Sequence, residues 1–204
     1  MRLLVTSISL RLRPAMRISH PGISIETTMC NSSQLLDMVG QLRVDLAVVT
    51  LTAPVNDLIC HRLADQDVLL MVPVEHEWVG RDVVDIAELA GQPFVLREQG
   101  SMTQRIFDAA LADRDIDIRA ELVLSSREAV KEAVVAGLGL GIVLDKELGH
   151  DSRLVGIKLT GADLSAAEYL VAHPEVSELG AVREFITLAV PAFRPAAQLS
   201  NARL

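Results

Sequence analysis

The sequence predicts an α/β fold. Short apolar runs alternate with amphipathic segments along the 204 residues, half of the residues are apolar, and Gly137 stands where a helix stops and a strand follows. Strands alternating with helices in this way build a parallel, doubly wound sheet with helices on its faces.

Taken in order, RLLVTS (2–7) reads as a buried strand. PGISIETTM (21–29) opens on a Pro-Gly turn and alternates Ile23, Ile25 and Thr27, so it reads as a second strand. SSQLLDMVGQL (32–42) sets Leu35, Leu36, Val39 and Leu42 on one helical face behind a serine cap. VDLAVVT (44–50) is a third strand. The runs 58–63 and 68–73 read as two strands separated by a hairpin-like turn at ADQD (64–67). A second β/α series follows: a short helix at 85–90, a strand at 92–98, a helix at 101–113 and a strand at 118–125. In the 101–113 helix, Ile106, Phe107, Ala110 and Leu111 point inward. A helix at 126–136 and a strand at 140–144 complete that series. LVGIKLTG and AEYLVAHP are two more strands, and 177–190 is an amphipathic helix carrying Leu179, Val182, Phe185, Ile186 and Ala189. The Pro- and Ala-rich tail 191–204 reads as loose.

Composition excludes several functions. A formal net charge of −8 argues against this stretch gripping nucleic acid, which needs a basic face. Aromatic residues make up 3%, too few for a ligand site built on stacking. Cys30 and Cys60 stand far apart with no CxxC, which excludes zinc ribbons and thioredoxin chemistry and suits two thiols in a reducing compartment. No signal peptide or membrane-spanning run is visible in the sequence, so the expectation is a cytoplasmic protein without membrane contact.

The stretch EAVVAGLGLGIVLDKEL (132–148) alternates Gly137, Gly139 and Gly141. In a dinucleotide loop a strand precedes the glycines and a helix follows them. Here the order is reversed and the spacing is GxGxG. Gly137 is therefore a left-handed helix stop, and the next two glycines lead into a strand.

The same stretch, extended to SSREAVKEAVVAGLGLGIVL, resembles the effector-binding domain of LysR-type transcriptional regulators. HPGISIETTMCNSSQLLDMVGQLRVDLAVV and DVLLMVPVEHEWVGRDVVDIAELAGQPFVLREQGSMTQRIFD resemble further segments of that domain in the same order. The resemblance spans roughly residues 3–190. It implies two Rossmann-like subdomains joined by two crossover strands, as in type II periplasmic binding proteins, with the effector held in the cleft between them. It places subdomain I at 1–70 plus 160–190 and subdomain II at 71–159. It also implies a homodimer through subdomain I, and DNA contact only through an N-terminal helix-turn-helix that this chain lacks. Pro14 falls inside the first helix expected of the family, so that helix starts near it or is kinked.

Small hydroxyl residues stand where strands give way to helices: Thr6, Ser7 and Ser9; Asn31, Ser32 and Ser33; Gly100, Ser101 and Thr103; Ser125 and Ser126. In open α/β sheets ligands bind beyond the carboxyl ends of strands, where helix N-termini offer unsatisfied N–H groups. This suits a small anion such as a carboxylate, phosphate, phosphonate or sulfate. Each serine alone is equally an ordinary N-cap. Arg97 supplies a countercharge, or pairs with Glu98 or Asp108. Thr50 lines the cleft or simply ends its strand.

No metal or cofactor is expected. DRDIDIRAELVL (113–124) begins like a calcium loop but has Ile118 where glycine and Leu124 where glutamate are required. EHE (75–77) has no second histidine at helical spacing, and Thr103 replaces the last glycine of a GxSxG elbow. No acid, base and nucleophile concentrate in one stretch, so an enzyme is not expected. A solute-binding protein of the same architecture is the alternative to a sensor.

Overall fold

The structure, a computed structural model, describes residues 3–4, 18 and 22–193. The chain divides into two compact units, Met1–Asp65 with Ala167–Leu204, and Gln66–Ala166. It crosses between them inside two strands, leaving the first unit within β3 (Ile59–Pro73) and returning within β9 (Ser165–Ala172).

In the first unit, β1 (Leu3–Leu4) pairs in parallel with β2 (Leu46–Leu51), and β2 pairs antiparallel with β9 from Leu46↔Ala172 to Leu51↔Ala167. Helix α1 (Ser32–Gly40) buries Leu35 and Val39 completely. Leu42, expected on that face, instead takes the left-handed position after the helix, with φ +56° and its side chain exposed. The Arg43 N–H donates to the Met38 carbonyl at 2.8 Å and the Leu42 N–H to Val39 at 3.0 Å, which closes the helix end. Leu46, Val48, Leu63, Leu170, Val182 and Phe185 form this unit's core. The expected strand at 21–29 is absent beyond a single bridge at Glu26. Ile23 and Ile25 do pack against the core, so the alternation is real, but no strand beyond that bridge forms among the described residues 22–29.

In the second unit, β3 pairs antiparallel with β7 (Gly141–Leu144) and with β8 (Leu154–Thr160), and β4 (Val83–Asp85) pairs in parallel with β8. A second sheet joins β5 (Pro93–Arg97) in parallel to β6 (Arg119–Leu124). Both units are thus mixed rather than purely parallel, because the strands β3 and β9 enter against their neighbours. Helix α2 (Met102–Ala112) buries Ile106, Phe107, Ala110 and Leu111 as its periodicity predicts. Helix α3 (Arg127–Val135) buries Val130, Ala133 and Val134. Short helices α4 (Asp145–Leu148) and α5 (Pro174–Ser177) carry no clear signal in the sequence.

The hairpin turn expected at ADQD does not form; β3 runs unbroken through it. Its polar residues obey strand alternation, with Gln66 buried beside Val68 and Leu70 in the same phase, and Asp65 and Asp67 outward. The helix expected at 85–90 is a 3-10 turn at Ile86–Leu89, capped by Asp85, which also ends β4. In the first unit, Leu179 precedes α6 (Gly180–Phe193) and is exposed rather than buried. Residues 191–193, read as tail, continue α6 with Pro191 inside it. A proline in the last turn forfeits one helical hydrogen bond and leaves the rest intact.

Gly137 takes φ +75° after α3, and the Leu138 N–H closes back on the Ala133 carbonyl at 3.1 Å. Gly139, at φ +151°, brings the chain against β5, where a Cβ would meet the Pro93 oxygen at 2.9 Å. That approach lets Leu140 and β5 exchange bonds: Leu140 N–H to Pro93 and Val95 N–H to Leu140, each 2.8 Å. Among the described residues no helix is long and apolar enough to cross a membrane, and no group of three His, Cys, Asp or Glu stands ready for a metal.

Candidate functional site

Candidate residues fall in both units, and the second unit assembles the more informative group. Arg97 is the last residue of β5. Its Nη2 donates to the Ser125 carbonyl at 3.2 Å, so the guanidinium stands at the entry to α3. Its Nε is buried without a hydrogen-bond partner. Neither expected ion pair forms; Asp108 instead accepts from Gln104 at 2.7 Å, and Arg97 makes no ion pair among the described residues. Burial pushes the Arg97 guanidinium below its ordinary value, Arg127 pushes the same way, and Glu98, Glu147 and Glu128 only partly offset them. A half-buried cation with no carboxylate in direct contact is costly to keep. Groups perturbed in this way concentrate at functional sites.

Ser101 is buried and caps α2, its Oγ accepting the Gln104 N–H at 3.4 Å. Ser126 caps α3, its Oγ accepting from Ala129 at 3.1 Å. The serine hydroxyls are therefore already engaged as caps. Gly100 sits in the turn closed by the Ser101 N–H on the Glu98 carbonyl at 3.0 Å, and Thr103 lies half-buried in the first turn of α2. Ser125 is exposed and contributes its carbonyl.

Three further charged groups were not visible as site residues in the sequence. Arg127 pairs with Glu147 of α4 and with Glu128, and both Arg127 and Glu147 are about four-fifths buried. Lys131 donates to the Glu147 and Leu148 carbonyls at 2.7 Å each. Burial, and then Arg127, press the Lys131 ammonium below its ordinary value. Unlike Arg127 and Lys131, Arg97 has its guanidinium uncommitted to a carboxylate or to the carbonyls of α4 among the described residues. A desolvated guanidinium beside the start of α3 can bind a small anion through charge-assisted hydrogen bonds.

In the first unit the cap of α1 is Asn31, not a serine. Its Oδ1 accepts the Gln34 N–H at 3.0 Å and the Gln34 Oε1 accepts the Asn31 N–H at 3.3 Å. Ser32 and Ser33 follow as the first helical residues, both half-buried. Thr50 is half-buried and opposite Glu168, one residue before β2 ends. Thr6, Ser7 and Ser9, and the helix expected around Pro14, lie outside the described residues.

Comparison with known proteins identifies the family and the fold. The RuBisCO operon transcriptional regulator of Allochromatium vinosum is 30% identical over 183 residues, 86% of this chain and 60% of that protein. The HTH-type transcriptional regulator CysL of Bacillus subtilis is 27% identical over 135 residues, 64% of this chain and 45% of that protein. The chain thus spans about half the length of the curated relatives it matches. Among solved structures, the regulatory domain of Synechocystis PCC6803 CcmR in complex with 2-PG superposes with a TM-score of 0.87 at 20% identity, covering 96% of this chain and 98% of that one. The effector binding domain of QuiR in complex with shikimate superposes at 0.81 with 15% identity, covering 95% and 96%. At these identities the superpositions establish the fold, that of the two-subdomain effector-binding domains. The model of the LysR substrate binding domain matches residues 3–194, and the chain belongs to that family.

Proposed function

We propose that this chain is the effector-sensing part of a LysR-type DNA-binding transcription regulator, and that its effector is a small anion held by Arg97. The observation that carries the anion is the half-buried Arg97 guanidinium, with Nε unpartnered and no carboxylate on it. The sensing role is supported by curated relatives that are transcriptional regulators, and a small-molecule effector by domains of the same fold solved with 2-PG and with shikimate. On this reading Gly100, Ser101, Thr103, Ser125 and Ser126 set the backbone around the anion, with Asn31, Ser32, Ser33 and Thr50 serving the other regulatory subdomain. The two subdomains correspond to the ranges 1–70 plus 160–190 and 71–159, the first also pairing two copies of the protein. DNA contact belongs to a helix-turn-helix outside the 204 residues, and the protein works in the cytoplasm without chemistry of its own.

Effector binding shifts a pre-existing equilibrium through its differential affinity for two states. The test is a thermal-shift screen against phosphate, sulfate, phosphonates, dicarboxylates and amino acids. An anion at 100 times its dissociation constant adds about 2.7 kcal/mol, a rise of roughly 5–10 °C for a chain of this size. The bound anion should be recovered unchanged. A flat screen across all these classes would remove the anion from the proposal. Ser101→Ala is expected to weaken anion binding without unfolding the chain. Because Ser101 caps α2, its variant also loses about 1 kcal/mol of stability.

A further inference from the structure

Gln104 is 3% exposed, and it lies on the apolar stripe of α2 with Phe107 and Leu111. A buried amide at such a position is unfavourable unless both of its ends are bonded. Here they are. The Nε2 donates to Asp108 Oδ1 at 2.7 Å, and the Oε1 accepts the backbone N–H of Arg97 at 2.9 Å. An ionised carboxylate only accepts, so Asp108 fixes which end of the amide faces it. The oxygen is thereby turned toward β5. The Arg97 N–H is free to meet it because the β5–β6 ladder is continued by the neighbouring Glu98 N–H, which donates to Leu124 at 3.1 Å. Ser101 anchors the same residue from the other side by capping the Gln104 N–H.

The end of β5 is thus fixed against α2 by a side chain. The Arg97 side chain itself has one bond, to the Ser125 carbonyl. We infer that Gln104, oriented by Asp108, is a positioning residue that sets the Arg97 guanidinium for its ligand. The inference rests on the reading of Arg97 as the anion contact, but the position of Arg97 is open to test without any anion.

Three variants separate the possibilities. Gln104→Leu keeps the volume and removes both bonds. Asp108→Asn, at an exposed site, frees the amide to turn over and keeps the core intact should Gln104→Leu fold poorly. Gln104→Glu with Asp108→Asn retains an acceptor for Arg97 and reverses the donor in the second bond, at unchanged net charge. The first readout is modification of Arg97 by phenylglyoxal, followed by peptide mass spectrometry. It should speed up severalfold in Gln104→Leu, less in Asp108→Asn, and return to the wild-type rate in the paired variant. An unchanged rate in both single variants overturns the inference. The second readout is the affinity for inorganic phosphate in a cycle with Arg97→Met. Gln104→Leu should weaken binding about tenfold when Arg97 is present and leave it unchanged when Arg97 is Met. Equal weakening in both backgrounds also overturns the inference. Phosphate binding in Arg97→Met as tight as in the wild type defeats the anion reading instead, and modification of Arg97 still decides the role of Gln104.

Discussion

Arg97→Met separates a binding residue from a structural one, because the two roles give opposite results. The variant loses the bond from Nη2 to the Ser125 carbonyl, which at 3.2 Å is long for a charged donor. That loss is worth about 1–2 kcal/mol. It also removes a buried Nε that has no partner. Leaving such a donor unmade costs about 1–3 kcal/mol, so its removal offsets the lost bond. Methionine keeps an unbranched, adaptable stem in place of the half-buried arginine stem. Stability should therefore change by no more than about 1 kcal/mol in either direction. Binding should behave differently. Two charge-assisted bonds to an anion contribute about 1.5–3 kcal/mol each, so their loss weakens the complex a hundredfold or more, on the order of 3 kcal/mol. Urea unfolding gives the first quantity and calorimetric titration with phosphate the second. A variant destabilised by more than about 2 kcal/mol that still binds phosphate normally would refute the reasoning, because Arg97 would then be holding the fold together.

Two further predictions concern the frame around this site. Gly139→Ala should destabilise the second unit by roughly 2–4 kcal/mol, combining a strained backbone with a clash that backbone atoms of β5 cannot relieve. Gly137→Ala, in open space at φ +75°, should cost only about 1 kcal/mol, and chemical denaturation of the pair measures the difference. Asp151 is held at about 2 by hydrogen bonds from the Arg153 side chain and backbone, below the ordinary 3.8. A depressed carboxylate contributes stability that is complete above its unfolded value and is lost as pH falls through its folded one. Wild-type stability should therefore drop between about pH 4 and pH 2 more steeply than that of Asp151→Asn, and parallel urea titrations of the two would show otherwise if the bonds are not made.

Much of the fold was legible because the relevant signals are local. The stripe of Ile106, Phe107, Ala110 and Leu111 predicts the buried face of α2, and Gly137 predicts where α3 stops. The long strand β3 was not legible. ADQD is polar enough to read as a turn, and only the partner strands reveal that Asp65 and Asp67 share the outward face while Gln66 turns inward. The candidate site shows a similar limit. Asn31-x-x-Gln34 and Ser101-x-x-Gln104 have the same spacing. In the first, Gln34 is exposed and returns to its own cap; in the second, Gln104 is buried and reaches across to Arg97. The choice is made by the strand that lies against α2, which no window of sequence around the helix contains. Arg97 was legible as a cation near a helix start, but whether Glu98 or Asp108 would neutralise it depended on that same packing.

The path of the chain also orders its assembly in time. The second unit is one uninterrupted stretch, Gln66–Ala166, whereas the first is built from both ends of the sequence. During synthesis every strand of the second unit has been made before β9 exists. The first unit must wait for β9 to pair with β2 and for α6 to deliver Phe185 to its core. Closing contacts between distant segments is slow compared with closing local ones. The unit that carries Arg97 is therefore positioned to mature first, and the loss of the last forty residues would strip the first unit of strand and helix while leaving every strand pair around Arg97 in place.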